Sequence, residues 1–362
     1  MSRLDDYAAL FQPSALTLAR HLAGLRKAEV ASAIGVSAAA ISQYESGTHH
    51  PSAPIVAKLA LSLGVPAAFL NHDVADDLSR SGRAFFRSLR STRQIERDRA
   101  EAHIIAIRIL VSYLERHVIF PEFDVPLMPL ASDASRDDIE DAANQLRQSW
   151  ELGRGPIASM THLLESHGII INQYLAGRRE IDAFTRSFSS RAIITLVLDK
   201  DDQARQRFDS AHELGHLVMH DESESGNNLI EHQAQTFASA FLLPREAIIE
   251  ELPRRADFRR LLQLKSRWGV SIAALLYRSR ELGALSHDAH RRAMIKLSTF
   301  GWRTKEPGAV HFDEVPTLLR KAFTLVGQGK VTASTLAANA GLPEEIVTAA
   351  LREPTGRPRV EP

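Results

Sequence analysis

The chain contains no cysteine. That excludes disulfides, thiolate nucleophiles and any cysteine-ligated zinc or iron–sulfur site. It also lacks a long hydrophobic run: no apolar stretch approaches the ~18 residues of a membrane span. The acidic, interrupted start MSRLDDYAALF does not read as a signal peptide. Net charge is missing too, with 44 Lys+Arg against 44 Asp+Glu. These absences point to a soluble, cytoplasmic protein, and neutrality at first sight argues against a nucleic-acid partner. What is present is ordinary: 362 residues, 44% hydrophobic and 24% charged, enough for two to four globular domains.

The neutrality is a cancellation. Residues 1–72 carry one net positive charge, 73–125 none, 126–250 nine negative and 251–362 eight positive. Such asymmetry fits a modular protein with an acidic site and basic contact surfaces. We read four regions: 1–72, an arginine-rich helical linker at 73–125, a catalytic region at 126–250 and a helical C-terminal region at 251–362.

Within the first region, Ser14–Leu22 reads as a helix and Arg26–Ile34 as a second with the apolar stripe Val30, Ala31 and Ile34. Gly35 ends it and Ser37 caps a third helix over Ala38–Glu45. Two short helices across a glycine turn form a helix-turn-helix, whose second member enters the major groove. The run VASAIGVSAAAISQYESG followed by HPS resembles the XRE, phage-repressor-like class. That resemblance implies double-stranded DNA as partner, with Ser37, Ala38, Ala39, Ser42 and Gln43 facing base edges and Lys27 facing phosphates. Alanines touch thymine methyls but make no bidentate bonds. With about one net charge, this module is expected to bind weakly or as a homodimer.

In the linker, Arg80, Arg83, Arg87, Arg90 and Arg97 recur at three- and four-residue steps on one helical face, interleaved with Phe85, Phe86 and Leu89. The helix is expected to run on through Ile104, Ile107 and Leu110. Guanidinium rows with aromatics suit phosphates or stacked single-stranded bases. The same pattern equally describes a solvated face whose phenylalanines are core. A single-stranded DNA trigger is one partner this stripe would take.

The strongest chemical signal is His212-Glu213-Leu214-Gly215-His216. Two imidazoles four apart on a helix share a face and can share Zn²⁺, with Glu213 beside them to take a proton from an activated water. Phe208, Ala211, Gly215 and Val218 form the stripe of an amphipathic helix over Arg205–His220. A zinc site needs a third protein ligand, and Glu231 on a helix over 230–242 is the best placed. Ala234 and Ala238 on that helix would let it approach Gly215 closely. His220, Asp221 and His232 are rivals; His220 sits a turn too far along the helix and reads as packing or support.

Together RQRFDSAHELGHLVMH and EHQAQTFASAFLLP resemble the ImmA/IrrE family of zinc metallopeptidases, with Gln235 standing where the family usually has Asn. The resemblance implies that His212, His216 and Glu231 bind zinc and that Glu213 is the general base. It also implies a zincin-like fold. Helices near 136–150 and 156–166, a strand at Ile169–Tyr174, then IDAFTRSF and AIITLVL would form its small mixed sheet. The expected class is mostly α with that sheet (α+β). Ala192–Leu198 is the expected edge strand for an extended substrate backbone.

In the C-terminal region, residues 258–282 and 335–351 repeat the helix–glycine–helix arrangement, with GWRTKEPGAV as an intervening loop. They would pack on the catalytic region, touch DNA a second time or dock a protein substrate. The last ten residues look disordered. Two functions compete. One is a zinc endopeptidase that cleaves a repressor, itself XRE-type, in a stress, phage or mobile-element response, as the resemblance implies. The other is a DNA-binding regulator whose peptidase-like domain is a sensor or scaffold.

Overall fold

The computed structural model describes residues 3–79, 93–174, 183–188, 190–197, 203–220, 228–303, 305–308, 310–327 and 330–352. Five helices open it: α1 (Arg3–Ala9), α2 (Pro13–Ala23), α3 (Lys27–Ile34), α4 (Ala38–Glu45) and α5 (Ala53–Leu63). Local rules set the α3–α4 turn. Gly35 takes φ +75°, a left-handed conformation that glycine adopts without strain. The Ser37 hydroxyl then accepts the Ala40 N–H at 3.1 Å to start α4.

After α6 (Ala75–Ser79) comes the long α7 (Gln94–Glu115), which carries Arg97 and buries Ile104, Ile107 and Leu110. Arg80, Arg83, Arg87 and Arg90 lie outside the described residues. Then follow α8 (Arg136–Ser149), α9 (Met160–Ser166), β1 (Ile170–Tyr174), β2 (Ala183–Ser187), β3 (Ala192–Val197), α10 (Gln203–Met219) and α11 (Asn228–Leu242). The chain continues through α12 (Arg245–Ile248), α13 (Phe258–Trp268), α14 (Ile272–Glu281), α15 (His287–Thr299), α16 (Leu318–Val326), α17 (Ala333–Ala340) and α18 (Glu344–Leu351). This is the expected mostly α architecture with a small mixed sheet. Among the described residues no helix is long and apolar enough to cross a membrane.

The sheet corrects one expectation. Its order is β1-β3-β2, with β3 parallel to β1 and antiparallel to β2. Residues 192–197 are therefore the centre of the sheet and not its edge. Ile193 stands opposite both Ile170 and Arg186, so neither side of β3 is open to a peptide. The reason is compositional: Ala192–Leu196 is buried throughout, and such a run belongs between two strands. The edge near α10 is β2, which carries Thr185, Arg186 and Ser187.

Period-two alternation splits the sheet between two cores. Ile170, Phe184 and Ile193 face α7 and join a core that holds α2–α5 and α16–α18. Ile169, Ile171, Ala192, Ile194 and Leu196 face the other way, into a core with α8–α11 and α13–α15. The C-terminal third is thus shared: α13–α15 belong to the second core and α16–α18 to the first. Charged groups pin the second core. Arg207, fully buried, pairs with Glu314 and donates to the carbonyls of Gly269 at 3.1 Å and Ile157 at 2.8 Å. Glu314 also accepts the Met160 and Thr161 N–H groups, which starts α9 at Met160 and not at 156. Arg278, also fully buried, pairs with Glu140 at 2.9 Å and donates to the Leu243 carbonyl at 3.0 Å. Removing either member of such a pair would strand a buried charge.

Candidate functional site

Helices α10 and α11 pack closely because Gly215 has no side chain. A Cβ there would lie 3.0 Å from the Phe237 ring and 3.3 Å from the Ala234 Cα. That approach brings His212, His216 and Glu231 together, with one potential ligand atom from each within 4.8 Å of the others. His212 Nε2 and His216 Nε2 are 3.1 Å apart, and Glu231 Oε2 lies 3.3 and 3.8 Å from them. A tetrahedral zinc site with bonds of about 2.1 Å has ligand–ligand edges of roughly 3.4 Å. The three separations bracket that edge, so the donor set fits a divalent metal with one position left open.

Electrostatics prepare the donors. Burial pushes His216 down to about 4, although Glu231 opposes the shift. Burial would raise Glu231, but bonds and charges from His212 and His216 outweigh it and hold the carboxyl at about 2. At neutral pH the pair thus offers an uncharged imidazole and a carboxylate. Glu213, only 4% exposed, is pushed up to about 7 by burial, against the pull of His212 and of the Thr185 hydroxyl on β2. Among the described residues its Oε2 has no hydrogen-bond partner. A carboxyl poised near neutrality is suited to accept and return a proton.

A hydrogen-bond relay orients His216. Gln233 Nε2 donates to the Ala131 carbonyl at 2.8 Å, which aims its Oε1 at His220 Nε2, 2.8 Å away. An amide oxygen only accepts, so His220 Nε2 carries a proton. With one proton on that ring, His220 Nδ1 accepts from His216 Nδ1 across 3.0 Å. The lone pair of His216 Nε2 is then left facing His212 and Glu231. His220 is thereby a support, as its spacing suggests, while His232 is exposed. Asp221 lies outside the described residues. Thr185, Gln233 and Ala131 carried no signal in the sequence, because each reaches the site only through non-local packing.

The residues expected to read DNA form a second place. Ser37, Ala38, Ala39 and Gln43 are exposed on α4, and Ser42 is half-buried. Lys27, expected to meet phosphates, lies 3.0 Å from Glu45 and 3.4 Å from the Ser42 hydroxyl. Glu45 also pairs with Arg20 at 2.6 Å. Arg97 is half-buried and donates to Gln94 at 2.7 Å. The helix–glycine–helix of α13 and α14 repeats the local turn, with Gly269 at φ +67° and Ser271 capping Ala274 at 3.0 Å. There α14 buries Ile272, Leu275, Leu276, Arg278 and Ser279, five of its ten residues.

Residues 165–280 match the family model described as an IrrE N-terminal-like domain, Peptidase_M78. Residues 17–70 match that of a helix-turn-helix, HTH_3. The chain therefore joins a DNA-binding helix-turn-helix of the XRE type to a metallopeptidase-like domain. No curated protein matches it.

Proposed function

We propose that the chain is a zinc-dependent endopeptidase that regulates transcription by cleaving a repressor, itself of the XRE type. The convergence of His212, His216 and Glu231 with Glu213 beside them carries this reading. Zinc held by those three residues would supply Lewis-acid polarisation of the scissile carbonyl and acidify a water. Glu213 takes the proton released as water adds to the carbonyl carbon. It returns that proton to the amine nitrogen as the C–N bond breaks. Gln233 and His220 keep His216 in the tautomer its role requires. The β2 edge, beside Thr185, is where an extended substrate would lie.

The test is incubation of the zinc-loaded chain with purified XRE-type repressors and mass analysis of the products. Glu213→Gln should keep bound zinc while cleavage drops by about a thousandfold or more, the scale of losing acid–base catalysis. Undiminished cleavage in that variant would refute the assignment. A second reading has its own support. Ile170, Phe184 and Ile193 of the sheet share one core with α2–α5. A change in the peptidase-like domain would therefore be felt by the DNA reader, as a sensor requires. Zinc-dependent change in DNA affinity without any cleaved product would favour it.

A further inference from the structure

The helix-turn-helix is poor in usable charge. Of its cations, Arg20 and Lys27 pair with Glu45, which leaves Arg26 and Lys58 exposed. The positive charge of the chain sits elsewhere, and the structure gathers part of it on one face of the peptidase-like core. On α15, Arg291, Arg292 and Lys296 are exposed on the side opposite buried His290, Ala293 and Leu297. Lys296 Nζ lies 5.5 Å from the ring centres of both Phe258, at the start of α13, and Phe300, just past α15. Phe258 and Phe300 also meet Trp302, at 5.7 and 4.9 Å. This aromatic cluster therefore ties three stretches of chain together. Each adds exposed cations: Arg259 from α13, the three on α15, and Arg303 and Lys305 beyond Trp302.

Among the described residues none of these six makes an ion pair. The contrast with their neighbours is informative. Arg260 and Arg267 on α13 pair with Glu251, and Lys265 is buried against Glu306 at 2.9 Å. Asp257, next to Arg259 in the chain, accepts N–H groups at the start of α13, and Asp288 lies in the first turn of α15. A concentration of uncompensated cations opposes folding by self-repulsion, and a polyanion relieves it.

We infer that this α13–α15 face is a sequence-independent contact for the phosphodiester backbone of duplex DNA. It adds phosphate-facing charge to the few cations of the helix-turn-helix. Duplex is the form chosen because the chain already carries a duplex reader, and because Lys296 covers faces of Phe258 and Phe300 that single-stranded bases would need for stacking. The inference rests on the helix-turn-helix being a DNA contact, but its test does not need an operator. The contact lies on the outer side of α15 and not on α14, the counterpart of the reading helix, half of whose residues are buried.

The experiment is fluorescence anisotropy of the full chain with a labelled mixed-sequence 40-base-pair duplex, and separately a 40-nucleotide single strand, from 50 to 300 mM salt. Three proteins are compared: the unmodified chain, the triple variant R291A/R292A/K296A, and the helix-turn-helix variant Q43E. Thermal melting and bound zinc check that the exposed triple variant folds. Each lost phosphate contact should reduce the slope of log K against log salt by about 0.9. The triple variant is expected to show a slope shallower by about two to three and duplex affinity at least tenfold weaker near 0.1 M salt. Q43E, which alters the reading helix itself, should weaken mixed-sequence binding by less than the triple variant does. An unchanged slope in the triple variant overturns the inference. A loss confined to the single strand overturns the choice of duplex. Loss of mixed-sequence binding in Q43E alone places the charge contact on the helix-turn-helix and also overturns it.

Discussion

The pair α3–α4 and the pair α10–α11 put two helices to opposite uses. In α3–α4 the functional side chains point outward, and three residues of turn suffice to set their geometry. In α10–α11 they point inward, between the helices, where the site exists only if both backbones approach within the limit that Gly215 allows. An outward face needs exposure and little else. An inward one needs convergence, burial of charge and a support behind each ligand. That is why Ser37, Ala38, Ala39 and Gln43 have few partners, whereas His216 is backed by His220, Gln233 and Ala131 in series.

The contrast can be broken most strongly at α7, which joins the two regions. His103 on α7 lies 3.0 Å from Asn172 on β1, and burial pushes its imidazole down to about 4. The folded state then binds fewer protons than the unfolded one, whose His titrates near 6.5. Stability from this group is fully present above about pH 6.5 and is lost as the pH falls toward 4. The loss should reach about 3 kcal/mol. Denaturant melts of the wild type and of a His103→Gln variant across that window check it, since the variant should lose this share of the dependence and keep that of His216.

A smaller effect should sharpen the inward half. Gln233→Leu removes the acceptor that fixes His220, so metal affinity should fall by about 10- to 100-fold. Competition with a chelator measures this, and DNA binding should not change. The smallest effect on the fold belongs to the outward half. Gln43→Ala on exposed α4 should shift stability by less than about 0.5 kcal/mol. It should nevertheless weaken binding to a specific operator by roughly tenfold or more if Gln43 reads a base. A melting curve and a footprint together decide whether that residue acts outward only.

Much of this arrangement was legible in the sequence, and for local reasons. The three-residue turn with Gly35 and Ser37, the 3,4,3 stripe of α10 and the capping Ser271 all depend on neighbours in the chain. Hence the helices appear where periodicity and caps place them. The sheet order was not legible, because the apolar run of β3 is compatible with any buried position until its partners are known. Nor was the pairing of Lys27 with Glu45, which comes from the packing of α3 against α4. The repeated helix–glycine–helix signature recurs at α13–α14, where the same local chemistry ends in a helix that packs into the second core, one of the fates its sequence left open.

By itself, the sequence determined which chemistry was available. Without cysteine, a tightly held zinc must take histidine and carboxylate, and His212, His216 and Glu231 offer them on two helices. It also determined that neutrality would be the sum of unlike regions. Only the tertiary structure decided which charges remain usable. Arg207, Arg278 and Lys265 are consumed as buried pairs because desolvated charge must be matched, while Arg291, Arg292 and Lys296 stay in water and unmatched. Charge counts along a chain cannot distinguish these fates, since burial is a property of what packs against a residue.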